Sequence, residues 1–587
     1  MCGRMYQIRF REEQKTTMAN DGENLLEVMR RADLHPDAPC GGHGKCGKCR
    51  VKLVSEQRKA TETVLACQTY VGSDLIVETI HENTEHRILT EGMHAKGTYA
   101  PLIRQACITV RPCARGESTS DWSRLLEGLK EAGLLDEETV LMPEPAIASG
   151  IGPLQKETDG KLGVLLSGNE ILRISKEKHP YYMAGFDIGT TTVVGYLLDG
   201  ENGNVLTAAS RLNPQAEFGG DVINRANYAL EHGTKKVTEC IREAVDTMCR
   251  EMADQSGIDP QEITAVSIVG NTCMHHLFLG ISVDSLVHAP YNPVVSEPMI
   301  VSAARYGIHI HPQASLYILP NIAGFVGADT VACLVSTDLA EVKDWTLLID
   351  IGTNGEMVLA KDRKMICCST AAGPAFEGAG ITHGMRGSSG AISKVKWRQD
   401  HWEYETVGNA APRGLCGSGL LDLISELLLS GQIDEMGQLQ TEETYVVLAD
   451  EKHSADGTPV TLEQKDISQL QLAKAAIAAG VHLLAESRGI AITDIKEVWL
   501  AGAFGSFLSP ESACNIGLIP PELRGRIRAV GNAAGEGAKR VLLERKTWKH
   551  AKELAESCDF LELAALPEFQ DRYVDELEFP ELSWCTG

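Results

Sequence analysis

Four cysteines near the start of the chain, Cys40, Cys46, Cys49 and Cys67, follow the order C-x5-C-x2-C-x17-C. Three thiols crowd one glycine-rich loop and the fourth lies on a following segment. Four thiolates so placed can hold a [2Fe–2S] cluster, which moves single electrons. They can also hold tetrahedral zinc. Zinc sites usually pair two C-x2-C turns, and this segment has one. The loop Gly41-Gly42-His43-Gly44-Lys45 favours the cluster, because small residues let backbone N–H groups turn toward the sulfurs. A Rieske centre would need two histidines, so His43 reads as a solvated loop residue. A disulfide framework does not suit so long a chain.

Two hairpins far downstream carry a second chemistry. In AGFDIGTTTVVGYLLD an apolar strand ends at Asp187 and turns through Gly189, Thr190 and Thr191. In LLIDIGTNGEMVLA a similar strand ends at Asp350 and turns through Gly352, Thr353 and Asn354. Such a turn can offer amides and hydroxyls to phosphate. The aspartate at the strand end can hold Mg²⁺ directly or through water. Glu356 could orient a water as a base, or could face solvent on its strand. One such match is weak, but two with the same flanking pattern point to similar halves closing on a nucleotide. The stretch VWLAGAFGSFL places Gly502, Ala503 and Gly505 after an expected strand, where the backbone could pass close to adenosine. GNAAGEGA (531–538) is a candidate for the same wall. No G-x4-G-K-[ST] motif is present. His275 and His276, between apolar residues, read as satisfied core histidines rather than ligands.

These groups need supporting elements. Residues 1–80 fit a ferredoxin-like β-grasp domain: strands at 7–10, 49–54 and 75–79 and a helix at 24–31. Residues 81–118 are polar and irregular and read as a linker. A small domain over 119–182 contains a capped helix at 120–133 and a strand at 162–166. Residues 183–587 alternate strands and helices and form one large domain. The fold class is therefore multidomain, mixed α/β and α+β.

The spacing of the first four cysteines resembles that of adrenodoxin-type and plant-type ferredoxins. The paired hairpins resemble the actin, sugar kinase and Hsp70 superfamily of ATPases, which implies two ribonuclease-H-like halves around an ATP cleft. NPQAEFGGDVINRANYA (213–229), VGNTCMHHLFLG (269–280), APYNP (289–293), LPNIAGFVGADT (319–330), AAGPAFEGAGI (371–381) and AGAFGSFL together resemble the reductive activators of corrinoid proteins. That resemblance implies an ATP-dependent activase that passes one electron from the cluster to a corrinoid protein of a methyltransferase or O-demethylase system. Inactive Co(II) becomes Co(I). It further implies Cys40, Cys46, Cys49 and Cys67 as cluster ligands, phosphate contacts from the two turns, Mg²⁺ held by Asp187 and Asp350, and a homodimer. It implies a low-potential donor such as reduced ferredoxin or flavodoxin. Thr382, Ser388 and Ser389 could face the partner's cobalt, or could be ordinary surface polarity. A four-iron dehydratase activator, a small-molecule kinase with a redox appendage and an Hsp70-like remodelling module are the rival readings.

The formal net charge of −25 argues against nucleic-acid binding, which needs clustered Lys and Arg. No membrane span and no signal peptide are expected, and a cytoplasmic location follows. Of the 17 cysteines, those beyond the first four make no C-x2-C pair, and most of them read as small buried hydrophobes.

Overall fold

In a computed structural model, the structure describes residues 4–32, 34, 44, 49–55, 60–79, 99–135 and 141–581. The amino-terminal unit is a five-stranded sheet in the order Lys15–Asn20, Met5–Phe10, Leu75–Thr79, Arg50–Ser55, Ala60–Leu65. One inner pair is parallel, with Ile8 opposite Leu75, and the other three pairs are antiparallel. The helix Leu25–Arg31 buries Leu25, Leu26, Val28 and Met29 against the sheet, and Asn24 caps it by accepting from the Leu26 amide. This is a β-grasp arrangement. Two of its strands, Lys15–Asn20 and Ala60–Leu65, are edge strands that the sequence reading did not find.

A second unit has the antiparallel sheet Ile103–Thr109, Lys161–Ser167, Glu170–Ser175, covered by helices Asp121–Glu131 and Pro145–Glu157. The first of these strands falls inside the expected linker 81–118, so the far end of that interval is part of a folded unit. Ile103, Ile108 and Val110 are buried, and these few apolar positions are enough to pin the strand. The Ala100 and Leu102 amides donate to the carbonyls of Leu543 and Leu542, which ties this unit to the large domain. Residues 80–98 lie outside the described residues.

The large domain contains two six-stranded sheets built on one plan. In the first, Tyr182–Ile188, Thr192–Asp199 and Val205–Leu212 form an antiparallel meander. Ile263–Gly270 adds parallel to its first strand, and Ser315–Ile318 follows. In the second, Thr346–Ile351, Gly355–Lys361 and Lys364–Thr370 form the meander, with Glu497–Ala501 and Ile527–Gly531 added in parallel. The helices Ala328–Thr337 and Ala533–Leu543 cross between the sheets. Gly537 permits the crossing, since a Cβ there would lie 2.1 Å from the Ala332 carbonyl oxygen. Ser336 Oγ donates across the contact to the Ala533 carbonyl at 2.8 Å. A single apolar core runs from Met183 and Val269 in one half to Leu348 and Ala501 in the other. The helix Gln464–Ser487 is long and apolar enough to cross a membrane, but most of it is buried inside the protein.

Helix Thr272–Leu279 is buried along its whole length. The Val294 amide donates to His276 Nε2, which leaves the proton on Nδ1 to be donated to the Thr272 carbonyl at 2.8 Å. His276 is thus a satisfied core histidine. His275 is only partly so: its Nδ1 lies 3.3 Å from His276 Nδ1, and its buried Nε2 has no hydrogen-bond partner among the described residues. Burial, with a smaller contribution from His276, pushes His275 down to about 3. The folded state therefore refuses a proton that the unfolded chain takes near pH 6.5, so stability falls as pH drops from about 6.5 toward 3. Thermal unfolding followed from pH 7 to pH 5 is expected to show a steeper loss in the wild type than in His275→Leu. Equal slopes would exclude this account.

Candidate functional site

The two hairpin turns face one another across a cleft of about 600 Å³. Asp187, Gly189, Thr190 and Thr191 line it from the first half, and Asp350, Gly352, Thr353, Asn354 and Glu356 from the second. The matching meanders place both turns, because each turn joins the first two strands of its sheet. Neighbouring segments hold the turns from behind. Asn213 donates through Nδ2 to the Gly189 carbonyl and through its amide to the Thr191 carbonyl, both at 2.8 Å. The buried Arg225 guanidinium donates to the Thr190 carbonyl. In the second turn the Gly373 amide donates to the Thr353 carbonyl at 3.0 Å. With carbonyls tied off, such turns suit an anion.

Carboxyl groups converge at the base of the cleft. Asp187 and Asp350 end equivalent strands, and Glu356 lies directly opposite Asp350 in the hairpin register. Asp329 joins them from the first turn of helix Ala328–Thr337. Burial, then the charges of Asp329 and Asp350, pushes Asp187 up to about 8. Burial and Asp350 push Asp329 up to about 7, and burial pushes Asp350 up to about 6. Glu356 rises well above the usual carboxylate range through burial and the same two aspartates, so it is not a solvent-facing residue. Cys333, expected to be a plain hydrophobe, points its thiol at Asp350 Oδ2 at 3.8 Å. Among the described residues no three such groups converge closely enough to grip a bare metal ion. An all-oxygen, self-repelling set of this kind fits a hydrated Mg²⁺ held through its waters.

Gly502 begins the helix Gly502–Phe507 and lines the cleft with φ of 83°. A Cβ there would sit 2.5 Å from Asp350 Oδ1, so only glycine brings the turn this close. Gly505 faces Leu500 and is not among the cleft-lining residues. Ala503 belongs to the same helix, but its side chain is outside the described residues. Phe376 and Phe504 stack at 5.1 Å and, with Phe507, form an apolar wall. Asn532, from the GNAAGEGA segment, lines the cleft, hydrogen-bonds Asp187 and donates to the Tyr196 hydroxyl at 3.0 Å.

The sequence reading missed Asp329 and Glu377. Glu377 accepts from the hydroxyls of Thr191 and Thr353, each at 2.6 Å. Both acids sit in glycine-rich segments already singled out, GFVGADT and AFEGAGI. An isolated acid in such a segment was the only signal. Thr382 is engaged by Asp466 at 2.9 and 3.0 Å, and Ser388 is buried with its hydroxyl on the Arg386 carbonyl at 3.4 Å. Of the three hydroxyls considered for the partner's cobalt, Ser389 is the exposed one.

In the amino-terminal unit, Cys49 and Cys67 are buried, and sheet register brings them together. Arg50 pairs with Leu65, and just beyond that pair the Ala66 amide donates to the Cys49 carbonyl at 2.8 Å. Asn24 Nδ2 holds the Cys67 carbonyl at 2.8 Å. Cys40 and Cys46 lie outside the described residues. The described pair, both thiols at one corner of the sheet, fits two ligands of a four-thiolate cluster.

Family comparisons assign the cluster domain and both halves of the large domain. Residues 9–72 match the 2Fe-2S iron-sulfur cluster binding domain, 182–342 the RACo middle region, and 344–585 the C-terminal domain of RACo, the ASKHA domain. The chain is 34% identical over 577 residues to the corrinoid activation enzyme RamQ of Eubacterium limosum, covering 94% of this chain and 95% of the relative. It is 25% identical over 439 residues to a [Co(II) methylated amine-specific corrinoid protein] reductase of Methanosarcina barkeri, covering 69% and 78%. A solved reductive activator for a corrinoid, iron-sulfur protein superposes with a TM-score of 0.76 at 32% identity over 98% of both chains. A [2Fe–2S] cluster, ATP and Mg²⁺ are therefore its cofactors, and the chain belongs to the family of ATP-dependent reductive activators of corrinoid proteins.

Proposed function

We propose that this chain restores a corrinoid protein to its active state by giving its Co(II) one electron, forming Co(I), in a step driven by ATP. The observation that carries the reading is the joining, in one polypeptide, of a four-cysteine cluster domain to a two-hairpin cleft with an acidic base. When bound, the [2Fe–2S] cluster supplies the electron, from a potential near about −400 mV if it behaves as plant-type clusters do. Cys40, Cys46, Cys49 and Cys67 hold it. Gly189, Thr190 and Thr191, with Gly352, Thr353 and Asn354, take the phosphates. Asp187 and Asp350, joined by Asp329, hold the water shell of Mg²⁺. Glu356 positions the attacking water. Gly502 and Ala503 border the nucleoside, with Gly505 setting the helix behind them.

A low-potential donor such as reduced ferredoxin or flavodoxin supplies the cluster. The thiol-rich composition and the oxygen sensitivity of Co(I) chemistry suit an anaerobic cytoplasm, and the family resemblance supports a homodimer. Carriers serving methylamine, aryl methyl ether or carbonyl-branch chemistry are the candidate partners. ATP acts through differential affinity: the nucleotide-bound cleft favours one redox form of the partner over the other.

The direct test is anaerobic mixing of the reduced chain with Co(II) corrinoid protein, following the Co(I) absorbance. Co(I) is expected only with ATP; equal formation without nucleotide would remove the coupling. Cys49→Ser is expected to lose the cluster's visible absorption and Co(I) formation while keeping ATP hydrolysis. If that variant still reduces cobalt, the electron does not pass through the cluster. Gly502→Ala drives a methyl group toward Asp350 at a positive φ, and MgATP binding is expected to weaken about tenfold with the cluster spectrum unchanged. Unaltered affinity in a calorimetric titration would show that Gly502 does not set the cleft.

A further inference from the structure

The two hairpin turns are joined by one side chain. Thr191 Oγ1 donates to one oxygen of Glu377 and Thr353 Oγ1 to the other, each at 2.6 Å, and the two hydroxyls are 3.5 Å apart. Thr191 belongs to the first half of the large domain and Thr353 to the second. Each hydroxyl has a single proton, so one given to Glu377 cannot also be given to a phosphate oxygen. An anion with two oxygens therefore already occupies the donors that the proposed function assigns to phosphate.

We infer that Glu377 is a resident anion, holding the phosphate donors of both halves in the nucleotide-free protein and evicted by the phosphates of ATP. The inference rests on the phosphate roles given to Thr191 and Thr353 above. Two anions cannot share one pair of hydroxyls, because their repulsion is strong at hydrogen-bond separations. The other charges lining the cleft decide where the displaced carboxylate goes. The carboxyl groups of Asp187, Asp329, Asp350 and Glu356 fill its base and crowd that end of the cleft. Arg386 lines the same cleft, and its buried Nε has no hydrogen-bond partner among the described residues. A guanidinium lacking an acceptor is a fitting destination for a released carboxylate.

The exchange has a route outward. Glu377 ends the short turn Pro374–Glu377, and the chain then runs through residues 378–385 to Arg386. That stretch is tied down at Thr382 by Asp466 and at Met385, whose amide donates to the Leu415 carbonyl at 2.9 Å. Releasing Glu377 from the threonines removes the side-chain tie at the near end of this wall, while the Gly373 amide on Thr353 and the anchors at Thr382 and Met385 remain. Glu377 is thus a positioning residue: it sets the closure of the two halves before nucleotide arrives.

Calorimetric titration of the cluster-loaded chain with ATP, in the absence of Mg²⁺, tests this. Glu377→Gln and Glu377→Ala are each expected to bind ATP about tenfold more tightly than the wild type, since phosphate no longer competes with two charge-assisted hydrogen bonds. A variant that merely damages the fold does not gain affinity. Adding Thr353→Val to Glu377→Ala should remove the gain. Unchanged or weaker binding in both single variants, with unaltered circular dichroism, overturns the inference. If wild type and variants alike bind no nucleotide while the cluster spectrum is intact, the phosphate reading of the hairpins falls and this inference falls with it.

Discussion

Asp187, Asp329, Asp350 and Glu356 are held together although burial raises the proton affinity of each and repulsion adds to it for Asp187, Asp329 and Glu356. Four separate elements deliver them: the ends of two equivalent strands, the first turn of a helix and a strand partner across a hairpin. A fold stores such repulsion at a cost, and a divalent cation relieves it. The helix N-terminus behind Asp329 eases part of the load through its dipole. In the proposed function a hydrated Mg²⁺ relieves the rest, so the cation that accompanies the nucleotide acts on this cluster. The close crossing of Ala328–Thr337 with Ala533–Leu543 keeps the two halves in register for this. Its small residues set the distance between the sheets, and hence between the turns.

Much of this was legible in the sequence because the signals are local. A cysteine series, an apolar run ending in aspartate and a Gly-Thr turn each announce themselves within a few residues, and the structure brings both hairpins and Gly502 into one cleft. The helix Leu25–Arg31 was legible from its apolar spacing, and the structure makes Asn24 its cap. The strands Lys15–Asn20 and Ala60–Leu65 were not, because edge strands carry polar residues on their open side and show little alternation. The strand Ile103–Thr109 was hidden by polar flanks and gains its order from the distant Lys161–Ser167. Glu377 and Asp329 were missed for a related reason. Their partners lie far away in sequence, and no local pattern marks an acid that will meet a threonine from the other half. Gly505 shows the opposite error: a glycine in a suggestive motif that packs against Leu500 rather than facing the cleft.

The cluster domain meets the large domain close to the first phosphate turn. Arg30, on the helix beside the cluster corner, donates to the Glu217 carbonyl at 3.1 Å, and its guanidinium lies 3.9 Å from the Glu217 carboxylate. Glu217 sits in the short helix Pro214–Phe218, which Asn213 caps by accepting from the Gln215 amide at 2.9 Å. The same Asn213 holds the carbonyls of Gly189 and Thr191. One asparagine thus anchors the phosphate turn on one side and begins the docking segment on the other. A partly exposed ion pair of this length is worth little by itself, typically about 0–1 kcal/mol.

The two turns differ in what stands behind them. Behind the first turn, Asn213 leads to Glu217 and the cluster domain. Behind the second, Gly373 donates to the Thr353 carbonyl and leads directly into Pro374–Glu377, whose carboxylate returns to both threonines. A shift of the first turn is therefore felt where the electron source docks. A shift of the second is felt along the wall that ends at Arg386. Because Glu377 binds both turns at once, neither can move alone while it is in place. One carboxylate thereby ties the turn beside the cluster domain's dock to the cleft wall, and on the inference above a nucleotide would break that tie by competing for the same two hydroxyls.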